Sequence, residues 1–207
     1  MKVLLINGSP RGKMCTYTGL CEVAKALNED GIDTEIYSIG KDPIPGCMAC
    51  RACSKLGKCV IDDKVNELSA RLDEFDGIVL GSPVYYSNVA GQFRSFLDRL
   101  FCSGGCAKLA GKPGCAIVSC RRGGASASFD ELNKYFTVSN MPIVPSNYWN
   151  QIHGNKPEDV LKDEEGMQTL RVLGHNMAWL LKCIEAGKEK GIVWKLPEPK
   201  VKTNFIR

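Results

Sequence analysis

The 207-residue sequence has no apolar stretch approaching the length of a membrane span. Its opening run, Val3-Leu4-Leu5-Ile6, follows a single lysine and gives way at once to Asn7-Gly8-Ser9-Pro10-Arg11, too short for the core of a secretory signal. It has little net charge. Lysine and arginine number 27 against 23 acids, a formal +4, and the cations are scattered apart from Arg121-Arg122 and a lysine-bearing tail, so no nucleic-acid-binding stripe is expected. Histidine is nearly absent: His153 and His175 are the only two, and a helical histidine such as His175 is more often a packing or surface residue than a proton shuttle. Neither the dinucleotide fingerprint G-x-G-x-x-G nor the triphosphate loop G-x-x-x-x-G-K-[ST] occurs. There is no internal repeat and no low-complexity segment. Cysteine, by contrast, is plentiful. Eleven of them, an odd number with no export signal, point to reduced thiols or metal ligands in a reducing cytoplasm rather than to a disulfide framework. With 44% hydrophobic residues the chain can bury one sizeable core, and a second full domain is not expected.

Two- and 3.6-residue periodicities alternate along the chain. Lys2 to Asn7 reads as a buried strand, and Leu20, Val23, Ala24 and Leu27 form an apolar helical face that Gly31 ends. Thr34 to Ser38 is a second strand, and a proline- and glycine-rich loop from Gly40 to Val60 follows. Asp62-Asp63 precede a helix near Val65 to Phe75, where carboxylates are ordinarily caps. Gly77 to Gly81, Cys115 to Cys120 and Met141 to Val144 read as strands three to five. Helices are expected at Gly91 to Phe101, around Phe129 to Phe136, and from about Met167 to Ala186. Such alternation specifies a mostly parallel sheet covered on both faces, an α/β three-layer sandwich of flavodoxin-like strand order 2-1-3-4-5. Residues 1–187 are expected to form this domain and 188–207 a loose tail.

Cys47, Cys50, Cys53 and Cys59 fall within the loop after strand 2, spaced C-x2-C-x2-C-x5-C. Three closely spaced sulfurs and a fourth that closes the cage suit one self-contained [4Fe–4S] cluster. The two-cluster ferredoxin pattern differs, because there the fourth cysteine follows three residues later and precedes proline, whereas Val60 follows here. Four thiolates also make a tetrahedral zinc site, although zinc ligands more often come as two separated C-x2-C pairs. Four unliganded thiols are the third reading.

In this strand order ligands bind where the order reverses, at the carboxyl ends of strands 1 and 3. The loops there are Gly8 to Tyr17 and Ser82 to Ala90, with Cys120 to Gly124 opening onto the same edge. In the first, Ser9, Thr16, backbone N–H groups and a helix N-terminus converge on a site for phosphate, and Arg11 adds a planar fork. In the second, Pro83, Val84, Tyr85, Tyr86 and Asn88 offer aromatic faces and free amides to a flat heterocycle. In the third, Gly123 and Gly124 allow close approach of the backbone, and Arg121 and Arg122 bring cations. Each loop taken singly also reads as an ordinary turn.

Ser9-Pro10-Arg11, Pro83-Val84-Tyr85, Asp98-Arg99, Gly123-Gly124 and Gly166-Met167-Gln168-Thr169 together resemble the NAD(P)H-dependent FMN reductase group of the flavodoxin-like fold. With the cysteine run, the chain most resembles its iron–sulfur flavoprotein branch, from Lys2 to about Ala186. The resemblance implies that Ser9, Arg11 and Thr16 hold an FMN phosphate, with Cys15 standing where such loops usually carry asparagine. It implies that Pro83, Val84, Tyr85, Tyr86 and Asn88 line the isoalloxazine, faced by Cys120, Arg121, Gly123 and Gly124, and that Cys47, Cys50, Cys53 and Cys59 ligate a cluster. Trp149, in the irregular stretch after Val144, is a candidate cover for a flavin. An oxidoreductase is then expected that passes electrons from NAD(P)H or a ferredoxin-like donor to a flavin, quinone or other small acceptor, as a homodimer or dimer of dimers. The rival is a non-enzymatic flavodoxin-like carrier. A carrier that must find basic partner faces is expected to be strongly acidic, and +4 argues against it.

Overall fold

The opening apolar run becomes an inner strand of a parallel sheet. The computed structural model describes every residue except Pro197, Lys200, Asn204, Ile206 and Arg207. Its strands are β1 (Lys2–Asn7), β2 (Asp33–Ser38), β3 (Gly77–Tyr85), β4 (Asn88–Val89), β5 (Gly114–Cys120) and β6 (Gln151–His153). The sheet runs β2-β1-β3-β5-β6, all parallel, and β4 folds back antiparallel on the end of β3. This is the expected order. Successive side chains face opposite sides of a strand, so Leu4, Ile6, Ile78, Leu80, Ala116 and Val118 enter one core while Val3, Leu5, Val79, Cys115 and Ile117 enter the other.

Helix α1 (Cys15–Glu29) is followed by the short α2 (Cys53–Leu56), then α3 (Lys64–Arg71), α4 (Gly91–Leu100), α5 (Cys106–Leu109), α6 (Ala125–Val138), α7 (Pro157–Val160) and α8 (Glu164–Glu189). The cores divide them: α1 and α8 cover one face of the sheet, and α3, α4 and α6 the other. Asp63 caps α3 as expected, its carboxylate accepting from the Val65 N–H at 3.0 Å. That helix stops at Arg71, and a 3₁₀ turn, Leu72–Glu74, completes the segment. Helix α4 runs into a π-helical turn, Phe101–Gly105, broken by Ser103 (φ −89°, ψ 25°) and Gly104 (φ +122°). Helix α8 continues to Glu189, two residues past the expected domain end, and beyond it the Trp194 ring stands against Gly111. No described helix is long and apolar enough to cross a membrane.

One strand is placed differently from the expectation. Met141 to Val144 makes a single parallel bridge, Ile143 to Gly114, and the edge strand is β6 at Gln151–His153, paired with Val118 to Cys120. Pro142 and Pro145 flank Ile143 and Val144 and lack N–H groups, so a continuous ladder cannot form there. The chain swings out after Pro145. It returns at Asn150, whose side-chain amide donates to the Ala116 carbonyl at 3.0 Å while its own carbonyl accepts from Val118 N–H at 2.9 Å.

Candidate functional site

Asn7 ends β1 buried, and its side chain shapes the loop that follows. Its Oδ1 accepts from the Ser9 N–H at 3.1 Å, and its Nδ2 donates to the Gly12 carbonyl at 3.1 Å and the Ser38 hydroxyl at 3.2 Å. Gly8 has to be glycine, because a Cβ there would stand 2.2 Å from the Phe93 ring. The Ser9 hydroxyl accepts from the Arg11 N–H at 3.3 Å, and Gly12 turns the chain at φ +65°. The loop delivers the chain to α1, whose N-cap, Met14, contributes no side-chain hydrogen bond. Uncapped N–H groups at the start of a 15-residue helix are suited to an anion.

Across from this loop, β3 continues through Pro83 and Val84 to Tyr85 and turns back in a two-residue hairpin at Tyr86 and Ser87. Their φ values, +51° and +60°, belong to a type I′ turn normally built from glycine and asparagine. Ser82 secures the hairpin's return, its hydroxyl accepting from the Ala90 N–H at 3.1 Å. Gly124, at φ +89° before α6, lies so close to the turn that a Cβ would meet the Ser87 Cα at 2.7 Å. Thr16 and Ser119 share a hydrogen bond of 2.7 Å between these walls.

Together these segments enclose a cavity of about 240 Å³ at the strand ends. Of the residues singled out in the sequence, Ser9, Arg11, Cys15, Thr16, Pro83, Val84, Tyr85, Cys120 and Arg121 line it. Tyr86, Asn88, Gly123 and Gly124 do not: Tyr86 is fully exposed on the hairpin tip, and Asn88 faces a separate hollow with Arg94, Asp98 and Glu131. Trp149 also lies outside it, half exposed and packed on Tyr148 at 4.9 Å between ring centroids. Met14, Ser119, Gly154 and Asn155 line the cavity without having been anticipated. The last two follow β6, and displacing the edge strand to Met141–Val144 hid them. Burial raises the thiol pKa of both Cys15 and Cys120, so neither is a ready nucleophile. The cavity offers an anion site at one end and a proline–tyrosine wall at the other.

The cysteine loop leaves β2 at the same edge and then runs along the outside of α4. Gln92, in the first turn of α4, donates to the Gly40 carbonyl at 2.9 Å, and Arg99, near its end, donates to the Pro45 carbonyl at 3.4 Å. The seven helical rises from Gln92 to Arg99 carry the loop about 10 Å along α4. Arg99 is 1% exposed and gathers the loop around itself. It pairs with Asp63 at 2.6 and 2.9 Å, donates to the Ile61 carbonyl at 2.8 Å, and donates Nε–H to the Cys59 sulfur at 3.3 Å. Burial opposes its charge, but the hydrogen bonds to Asp63 and Cys59 outweigh that and leave its pKa above the ordinary value.

Cys47, Cys50, Cys53 and Cys59 line one open cavity of about 240 Å³, which shares no lining residue with the first. Cys102, from the π-helical turn, completes it, with its sulfur 4.0 Å from that of Cys53. Desolvation, then the Cys53 sulfur, pushes the Cys102 thiol up to about 11. Ala49 (φ +54°) and Arg51 (φ +59°) adopt left-handed backbone on either side of Cys50, and Ala52 follows at φ −63°. Alternation of this kind turns successive N–H groups toward one side, as in the nests that hold phosphates and iron–sulfur clusters. None of the N–H groups from Cys47 to Ala52 donates to a backbone acceptor among the described residues. No three described His, Cys, Asp or Glu side chains stand close enough together to chelate an ion as they lie. The donor set itself is soft sulfur throughout, suited to iron–sulfur clusters or zinc and unsuited to hard cations.

The sequence profile described as NADPH-dependent FMN reductase matches residues 1–156. An iron–sulfur flavoprotein of Methanocaldococcus jannaschii is 34% identical over 192 residues, which cover 89% of this chain and all of the relative. Among solved structures, RosB with a bound 8-demethyl-8-formylriboflavin-5′-phosphate superposes with a TM-score of 0.70 at 14% identity, over 100% of this chain and 92% of that one. A flavodoxin, WrbA-like protein from Agrobacterium tumefaciens superposes with a TM-score of 0.63 at 16% identity, over 88% and 98%. At these identities the two structures establish the flavodoxin-like fold. From the profile and the relatives, the chain belongs to the NADPH-dependent FMN reductase family of oxidoreductases, in its iron–sulfur flavoprotein branch.

Proposed function

We propose that the strand-end cavity binds FMN and that the protein is a cytoplasmic oxidoreductase moving electrons from NAD(P)H or a ferredoxin-like donor to a flavin, quinone or other small acceptor. The observation that carries this reading is the meeting of the uncapped α1 N-terminus with Ser9, Arg11 and Thr16 at one end of a cavity whose other wall is Pro83, Val84 and Tyr85. Phosphate would lie on the α1 N–H groups, held by the Ser9 and Thr16 hydroxyls and the Arg11 guanidinium. Tyr85, Cys120 and Arg121 would flank the ring, with Tyr86, Asn88, Gly123 and Gly124 framing its outer rim. When bound, the flavin supplies hydride acceptance and one- or two-electron release. The chain's own work is to position the ring, place the Arg121 cation near it, and leave one face open between the hairpin and the loop after β5. No side-chain acid or base is required for that chemistry.

In the same reading Cys47, Cys50, Cys53 and Cys59 hold a [4Fe–4S] cluster, favoured by the nest-like backbone and the sulfur donor set. Iron would draw the loop's sulfurs inward and fix its conformation. Eleven free thiols suit a reducing compartment, and the exposed Tyr148, Trp149 and Trp179 suit assembly as a homodimer or dimer of dimers. The flavin assignment is tested by titrating apoprotein with FMN and with riboflavin. Preference for FMN supports the phosphate loop, and equal affinity rules it out.

A further inference from the structure

The motif cysteines are not the only sulfurs at the cysteine cavity. Cys102 lines the same cavity from a different element, the π-helical turn that ends α4. The chain kinks there, with Ser103 (ψ 25°) and Gly104 (φ +122°) off helical geometry. Here it presents Cys102 and Ser103 to the cavity together. The Cys53 thiol donates to the Cys102 carbonyl at 3.7 Å, and the two sulfurs stand 4.0 Å apart. That distance is informative. A disulfide needs about 2.05 Å, so the two are not bonded to each other. Thiols side by side at 4.0 Å lie near enough for either one to reach a single coordination position.

A second observation at the cavity points to a ligand. Ser103 is 3% exposed, and its hydroxyl has no hydrogen-bond partner among the described residues. A buried hydroxyl left unpaired costs about 1–3 kcal/mol. Ser103 lines the cavity, so a thiolate or sulfide held there could accept its proton.

We infer that Cys102 is a fifth metal-ligating thiol of this cavity, able to take the coordination position of Cys53. The inference rests on the reading that the cysteine loop holds an iron–sulfur cluster. Each iron of a [4Fe–4S] cube has one position for a protein ligand, so the two sulfurs alternate on one iron instead of binding together. Exchange moves no electrons: one thiolate leaves the iron and takes up a proton as the other thiol gives up its own and binds.

The test reconstitutes the full-length protein anaerobically with ferrous iron and sulfide. Iron and sulfide per chain are then measured for wild type, Cys50→Ala, Cys53→Ala, Cys102→Ala and the Cys53→Ala/Cys102→Ala double variant, with the electron paramagnetic resonance spectrum of each reduced form. FMN content reports whether each variant is folded. Cys50→Ala should lose the cluster. Cys102→Ala should keep the cluster through Cys53, its spectrum narrowed to that of the Cys53-bound form. Cys53→Ala should keep most of the iron with a shifted spectrum, and the double variant should lose it. Cys53→Ala as empty as Cys50→Ala, in protein that still binds FMN, would overturn the role of Cys102 and leave the cluster reading intact. Equal iron in Cys53→Ala and the double variant would overturn it too. Wild type without iron or sulfide would overturn both.

Discussion

Two side chains show how single residues set the two cavities and a third how an ion-pair cluster sets a pH dependence, and each has a measurable consequence. Arg11 is exposed, so a charge-assisted bond from it to a phosphate would lie toward the weak end of the range. Arg11→Ala should weaken FMN binding by about 1.5 kcal/mol and leave riboflavin binding unchanged, as read by fluorescence titration. Arg99 is the opposite case. Its guanidinium is buried, and removing it leaves Asp63 without a counter-charge and frees Pro45, Ile61 and Cys59 at once. Arg99→Met should cost about 3 kcal/mol in urea unfolding. Glu35 lies 2.7 Å from Lys2 and 2.9 Å from Arg71. The Arg71 hydrogen bond, and after it the Lys2 one, hold its carboxyl below the ordinary value despite partial burial. A carboxyl depressed in the folded state stabilises above its unfolded pKa, and the contribution fades as pH falls through the folded one. Glu35→Gln should therefore cost up to about 1 kcal/mol at neutral pH and almost nothing in acid.

At the scale of elements, α8 separates propensity from packing. Glycine to alanine inside a helix ordinarily stabilises by up to about 1 kcal/mol. Gly187 meets only ordinary contacts, 3.7 Å to the Ile192 carbonyl, so Gly187→Ala should raise the melting temperature slightly. At Gly174 a Cβ would stand 2.6 Å from the Ala26 Cβ and 2.9 Å from the Val23 carbonyl, so Gly174→Ala should lower it by pushing α8 off α1. The sequence announced the elements whose pattern is local. Buried strands such as β1 and β3, the apolar face of α1 and the cap at Asp63 were all legible, and with them the loop that joins β1 to α1. What it concealed depends on contacts distant in the chain. Met141 to Val144 carries a strand's apolar pattern, yet its flanking prolines deny it a ladder, and the less apolar Gln151–His153 takes the edge because Asn150 hooks the chain back to Ala116. Cys102 escaped notice because no spacing rule links it to a motif more than forty residues earlier; only the π-helical turn brings it there. Arg99 stood out beside Asp98 in the sequence, but nothing there showed that it would collect three loop segments.

At the scale of the molecule, the two cavities lie at different places on one chain. The loop that leaves β2 beside the strand ends travels along α4 before its cysteines gather, and the cavities share no lining residue. Damage to one should therefore spare the other. Cys50→Ser is expected to lose iron while retaining full FMN, measured as metal and flavin per chain after anaerobic purification. Loss of both together would mean that the cysteine loop supports the flavin cavity. The central claim is that the polar cavity holds a flavin that reacts with a nicotinamide donor, and it is tested most directly by mixing anaerobic, FMN-loaded protein with NADPH and following the flavin absorbance. The account predicts that the oxidised flavin band bleaches and that added free flavin or quinone restores it. A band unchanged by both NADPH and NADH, yet bleached promptly by a reduced ferredoxin, would contradict nicotinamide-driven turnover and make the protein an electron carrier.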